Sequence, residues 1–290
     1  MSRFIFSVTL AVGSISSFAQ EAEPAANDMP ADPQAFLKEF ASWQEGPGKG
    51  SIGGIAEIDI PAGFWFTGSS GTQKVMELFQ NPVTGNELGM IGPAGLDWFV
   101  VFEFNDIGYV KDDDRESLDA DALMKSMKAG NKEGNKQRES QGWPALELIG
   151  WMQEPNYDPK TNNLNWGIRL QSEGQEVINH NTRLLGRKGV MEATLVAEPE
   201  VLTSVMPTFN NLLAGYQFTA GNTHGEFRDG DKIAEYGLAA LVAGGAAAVA
   251  LKMGLLQKFW KLIVVGLVAV GAFFKKIMSS IFGRREVRES

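Results

Sequence analysis

Residues 179–196 read NHNTRLLGRKGVMEATLV, with a glycine at each end of the GRKG segment (186–189). Glycine reaches the backbone conformations that tight turns need, and the flanking runs are apolar and β-branched. A β-hairpin is therefore predicted, with 182–185 and 190–196 as arms and 186–189 as the turn. Hairpin-joined strands are antiparallel by construction. The surrounding sequence continues the theme, because 146–151 (LELIGW) and 163–171 (NLNWGIRLQ) also read as strands.

Further upstream, 98–104 (WFVVFEF) is the most strand-like stretch of the chain, rich in β-branched and aromatic residues. Residues 52–66 alternate toward two strands separated by PAG (61–63), and 86–90 begin another extended region. Helical spacing recurs between these groups: Phe36, Phe40 and Trp43 in 33–43; Val75, Met76 and Phe79 in 70–80. The same spacing joins Leu118, Ala122, Leu123 and Met127 in 118–129, continuing toward Glu139, and Val201, Val205, Phe209 and Leu213 in 199–213. Strands come in pairs and helices fall between groups of strands, not after each one. That order predicts an α+β fold, a mainly antiparallel sheet with packed helices. It resembles the small antiparallel sandwich of the PsbP/Mog1 type, a likeness of fold that carries no function by itself.

The two ends speak of a membrane. A short basic start (Met1 to Arg3), an apolar stretch FIFSVTLAV (4–12) and small residues at Ser17 and Ala19 predict a signal peptide over 1–19. A polar linker over 20–33 follows, then an exported domain over 34–232. Near the other end, 236–251 (YGLAALVAGGAAAVAL) and 259–274 (FWKLIVVGLVAVGAFF) are apolar runs slightly shorter than the roughly 20 residues of a full span. The second begins with interfacial aromatics and ends at Lys275 and Lys276, which predicts a transmembrane helix over 259–276. The first, over 236–256, is predicted to be a membrane-associated helix. A helical hairpin with two spans is the alternative, since the glycines of both runs offer close-packing surfaces. A basic tail occupies 277–290.

Charge is uneven along the chain. From residue 252 onward eight Lys/Arg stand against two glutamates, a net of +6, while the whole chain is −9, so residues 1–251 carry −15. An acidic body argues against nucleic acid as a partner, because phosphate binding needs a basic face. The basic tail suits the cytoplasmic headgroups of a bacterial inner membrane, with the domain on the periplasmic side. The chain has no cysteine, so disulfides, thiolate nucleophiles and cysteine metal sites are excluded.

Local chemistry is sparse. EGPGKGSIGG (45–54) lacks the Gly-Lys-Ser/Thr junction of a phosphate loop, because Gly50 separates Lys49 from Ser51; it reads as a flexible turn. Asp112, Asp113 and Asp114, followed by Asp119 and Asp121, lack the central glycine of a calcium loop and read as capping groups at a helix start. His180, Arg183 and Arg187 are the remaining polar candidates. An amide, imidazole and guanidinium cluster of this kind can hold an anionic group, although the hairpin explains the spacing equally well. His180 and His224, far apart in sequence, are expected at the surface or a sheet edge. No nucleophile-elbow arrangement is present. No cofactor is implied, and neither a catalytic nor a metal-binding set is assigned.

The blocks GYVKDDD (108–114), GWPALELIGWMQEPNYD (142–158), LNWGIRL (164–170), NTRLLGRKGVM (181–191) and GDKIAEYGLAALVAGG (230–245) together resemble a bacterial family of membrane-anchored proteins classed only as a domain of unknown function. The likeness runs from about Trp43 to the C-terminal tail and includes the order of the blocks. It implies an exported domain held by C-terminal membrane helices in a Gram-negative envelope, and supplies no activity, substrate or catalytic residue. Two function classes stand: a non-enzymatic binding or accessory module, in contact with the lipid bilayer and with another envelope membrane protein or itself, or a tethered enzyme without a recognised motif. Self-association as a structural membrane protein is a narrower third.

Overall fold

The computed structural model describes residues 33–244. The signal-peptide segment, most of the linker, the 259–276 helix, the basic tail and residues 245–256 of the segment before them lie outside the described residues.

Eleven strands and five helices follow in order: α1 (Pro33–Phe40), β1 (Gln44–Glu45), β2 (Gly48–Ile52), β3 (Ala56–Ile60), β4 (Phe64–Gly68), α2 (Ser69–Leu78), β5 (Glu87–Pro93), β6 (Phe99–Asn105), α3 (Ala120–Ser140), β7 (Glu147–Asp158), β8 (Asn163–Ser172), β9 (Gln175–Leu185), β10 (Val190–Ala197), α4 (Pro199–Ala214), β11 (Tyr216–Phe218) and α5 (Leu238–Ala243). Eight strands form one sheet in the order β1-β4-β5-β6-β10-β9-β8-β7, and β11-β3-β2 form a smaller one. Every strand pairing in both sheets is antiparallel. The predicted hairpin is β9–β10, with Val190 opposite Leu185 across the glycine-bounded turn. Gly189 is required there, since a Cβ on it would lie 2.0 Å from the Asn105 carbonyl oxygen.

The large sheet is covered on both faces. On β6, Phe99 and Val101 point into a core shared with α1, α2, α3 and α5. Val100 and Phe102 point the opposite way, into a core shared with α4 and the small sheet, where Phe209 packs with Ile58 and Ile60. Successive side chains of a strand alternate between faces, so a strand buried on both sides is apolar nearly throughout, as WFVVFEF is apart from Glu103.

Two departures from the sequence reading have simple causes. Residues 45–54, read as a flexible turn, contribute β1 and β2; glycine is needed at Gly50 because its Cβ would press to 2.8 Å on the Phe66 ring. Residues 238–243, the start of the segment read as membrane-associated, form α5 with Leu238 and Val242 buried in the domain core against α3. An apolar run of this length serves a buried helix as well as a membrane. The domain therefore continues past residue 232: Tyr109 bridges to Ile233, and α5 follows.

Phe209 anchors α4 to the sheet, fully buried and edge-on to the His180 ring. Phe209→Ala is expected to cost about 3–5 kcal/mol, read in denaturant unfolding of the purified protein as a lower midpoint with an unchanged slope.

Candidate functional site

The alternation of β9 separates the candidates that its sequence places side by side. Arg183 shares a face with Asn181 and Asn179, whereas His180 points through the other face to Phe209, ring centroids 5.5 Å apart. His180 is 4 % exposed, not at a surface or an edge as its sequence context predicts. Its Nδ1 has no hydrogen-bond partner, and burial pushes its pKa down to about 4, so the ring is neutral at ordinary pH. The imidazole and the guanidinium cannot meet on one ligand, because three residues of separation put them on opposite sides of the sheet.

Arg183 belongs instead to a row of charges that crosses four strands. It pairs in register with Glu192 on β10, Glu192 with Glu103 on β6, and Glu103 with Glu87 on β5. Arg183 is 1 % exposed, and its Nη2 donates to a Glu192 carboxylate oxygen at 2.5 Å. Its guanidinium lies 4.7 Å from the centroid of the Trp166 ring on β8, while Nε and Nη1 have no hydrogen-bond partner. The Asn105 amide donates to the other Glu192 oxygen. Glu87 is held by the turn before it, accepting from Thr84 N at 2.7 Å, Thr84 Oγ1 at 2.9 Å and Gly85 N at 2.8 Å.

Three carboxylates and one guanidinium do not balance. Burial raises the Glu103 pKa well above the ordinary carboxylate value, the charges of Glu192 and Glu87 raise it further, and Arg183 only partly opposes them. Glu192 is also raised by burial, but Arg183 and the Asn105 amide work against the shift. The arrangement therefore favours a protonated Glu103 beside an ionised, Arg-paired Glu192. Chemically it can store a proton and fix strand register; with Glu103 5 % and Glu192 7 % exposed, it offers little approach to a substrate. The sequence reading passed over Glu103, Glu192, Glu87 and Trp166. The available signal was an acid within an otherwise apolar strand, as in WFVVFEF and GVMEATLV.

The other candidates are dispersed. Arg187, in the hairpin turn, donates through Nε and Nη2 to Asp231 at 2.7 and 2.8 Å and ties the turn to the segment after β11. With the Arg187 side-chain bonds first and the Arg228 backbone N–H second, the Asp231 pKa is pushed down to about 2. Asp112 pairs with Arg115 at 3.0 Å. It also faces Tyr157, whose hydroxyl pKa is pushed up to about 12, by burial first and then by the Asp112 charge. Asp113 is exposed. Asp114 accepts from Leu238 N at 3.0 Å and Ala239 N at 3.1 Å, capping α5, while Asp119 accepts from Ala122 N at 3.0 Å and caps α3. Of this acidic run, Asp114 and Asp119 act as helix caps, for α5 and α3, while Asp112 is used in an ion pair. Among the described residues no group of three or more His, Cys, Asp or Glu is placed to hold a metal ion.

A cavity of about 120 Å³ lies between α3, the β7–β8 wall and α5. Leu146, Leu148, Ile168 and Leu170 form its floor, and Gly130, Gly134 and Arg138 of α3 its roof. None of the six polar candidates borders it.

The charge row has a pH signature. A carboxyl whose pKa is raised by folding stabilises the native state below its unfolded value, and that stability is lost as pH rises through the folded value. Glu103→Gln is expected to be more stable than the parent at pH 7 and to flatten the fall in stability above about pH 4.5, measured by urea unfolding across pH. Arg183→Met leaves Glu192 buried without its partner and is expected to cost about 3–5 kcal/mol. Asp231 has the opposite sign: its contribution is present above the ordinary aspartate value and is lost as pH falls toward about 2. Asp231→Asn should remove that acid-side loss in the same unfolding series.

No curated protein matches this chain. Among solved structures it is similar to the solution structure of cyanobacterial PsbP (CyanoP) from Synechocystis sp. PCC 6803, with 14 % identity, a TM-score of 0.37, and coverage of 61 % of this chain and 93 % of that one. It is also similar to the Saccharomyces cerevisiae Ran-binding protein Mog1p, with 8 % identity, a TM-score of 0.31, and coverage of 64 % and 100 %. Among the described residues no helix is long and apolar enough to cross a membrane. The family model described as "Protein of unknown function (DUF2167)" matches residues 44–274, the two sheets and all but the first of the described helices included, and the chain belongs to that family.

Proposed function

We propose that this protein is a membrane-anchored component of a bacterial envelope, held in the inner membrane by its C-terminal apolar segments. Its α+β domain, a sandwich of the PsbP/Mog1 type, faces the periplasm as a non-enzymatic binding or accessory module. The observation that carries this reading is how its polar candidates are used. Asp112, Asp114, Arg183 and Arg187 are each spent on an ion pair or a helix cap, and His180 is sealed against Phe209. A catalyst needs titratable groups that can reach a reacting atom, and these groups serve the fold.

The N-terminal signal pattern, the acidic body and the basic tail after residue 274 support the same placement. The partner in this reading is the lipid bilayer together with another envelope membrane protein or a second copy of the chain, and not nucleic acid.

The test is co-purification of the full-length protein from crosslinked membranes, beside a version whose residues 245–290 are replaced by an unrelated anchor. A specific partner captured by the parent and lost with the foreign anchor is the expected result. Recovery of the protein with no partner and no second copy overturns the accessory reading. A reporter fused after Ser290 is expected to signal from the cytoplasm, and a periplasmic signal overturns the single-span placement.

A further inference from the structure

The roof of the cavity over β7 and β8 is built in an unusual way for a helix. Glycine is among the poorest helix formers, yet α3 carries Gly130 and Gly134, four residues apart and so on one face, and both border the cavity. A Cβ built on either would meet nothing within 4 Å, so neither glycine is there to relieve a close contact. Gly130 is exposed and Gly134 half-buried, so the two glycines leave open the side of the cavity toward α3. The helix is clipped beside it by two asparagines. Asn131 and Asn135 donate to the Leu146 carbonyl at 2.8 and 3.0 Å, and accept from Leu148 N at 3.2 Å and Leu146 N at 2.9 Å. These bonds fix α3 against the start of β7 beside the cavity.

Arg138 completes the wall one turn further on. It is 7 % exposed, with its guanidinium 5.8 Å from the centroid of the Trp143 ring. Nε donates to the Pro144 carbonyl at 2.7 Å and Nη1 to the Gln80 carbonyl at 3.2 Å, both neutral acceptors. Among the described residues no carboxylate forms an ion pair with it. Burial lowers its pKa, and no neighbouring charge works against the shift. A guanidinium has five N–H groups, so donors remain for an anion. Arg183, also buried, has its carboxylate in Glu192, whereas no carboxylate among the described residues pairs with Arg138. In sequence the next carboxylate after Gly244 is Glu286.

We propose that this cavity binds a short-chain carboxylate, its alkyl body of about four or five carbons beneath Gly130 and Gly134 and its carboxylate on Arg138. The size follows from the volume, which at about 120 Å³ is somewhat smaller than a cavity that accepts benzene. The charge follows from a cation with no paired carboxylate among the described residues, and the apolar floor of Leu146, Leu148, Ile168 and Leu170 disfavours a fully polar anion. The proposal does not rest on the partner reading above, and the two stand or fall independently.

The experiment is titration calorimetry on the full-length protein in lipid nanodiscs, with empty nanodiscs subtracted, using pentanoate, 1-pentanol and acetate. Pentanoate is expected to bind at least tenfold more tightly than either of the others. Arg138 also ties α3 to Pro144 and Gln80, so Arg138→Gln is paired with Gly130→Ala/Gly134→Ala, in which those ties remain. The alanine pair is expected to raise Tm by about 2–4 °C per site while weakening pentanoate at least tenfold. A structural role alone would not move stability and binding in opposite directions. Equal binding of pentanoate and pentanol, absence of pentanoate binding, or unchanged binding in the alanine pair each overturns the proposal. A photoreactive side chain at position 134 that couples to the chain's own residues beyond Gly244 in saturating pentanoate also overturns it, in favour of an internal occupant.

Discussion

The Arg183–Glu192 pair at the centre of the large sheet is the contact on which the other buried charges depend. Removing ions from water costs several kcal/mol each, and only a close partner and further hydrogen bonds offset that cost. Here the partner is in register on the next strand, with the Trp166 face below the guanidinium and the Asn105 amide on the far carboxylate oxygen. A shift of one residue in any of the four strands would send one member of the row to the opposite, apolar face. The pairing thus acts as a register key for β5, β6, β10 and β9, alongside the buried Asn181 and Thr194, the next register pair on the same face.

The surplus of carboxylates in that row has a consequence for the interior. With Glu103 and Glu192 directly opposed and Glu87 beyond, full ionisation is disfavoured, and the least compensated of them, Glu103, is the one that keeps its proton. Carboxylate pairs of this kind also occur at catalytic centres, where they face a cleft. The difference lies in access, because all four side chains of this row are buried. Perturbed groups sealed from substrate serve architecture. A cavity lies elsewhere, under α3, where two glycines and the buried Arg138 guanidinium meet an apolar floor.

Much of the architecture was legible because both sheet faces are buried. That condition leaves long apolar strands such as WFVVFEF and a glycine-bounded hairpin at 186–189, and it places helices such as α3 and α4 at clear periodicities. β1 and β2 were not legible, since a glycine-rich segment reads as a turn until Phe66 is seen to need Gly50 beside it. α5 was legible only as apolar. Whether such a run enters a bilayer or a protein core depends on what packs against it, and here Asp114, more than a hundred residues earlier, caps its first turn.

Composition and periodicity by themselves determined the α+β class, the antiparallel hairpin, the main helices and the exclusion of thiol chemistry, because these follow from local spacing and residue type. Which polar residues stand together was decided only by the tertiary structure. His180 and Arg183 are three apart in the chain and on opposite faces of the sheet, while Arg183, Glu192, Glu103 and Glu87 come from four strands and form one line. Arg138 likewise shows nothing unusual in sequence, and becomes distinctive only once folding buries it beside a cavity with no paired carboxylate among the described residues. Strand register and burial are properties of the assembled sheet, and a single strand carries no record of them.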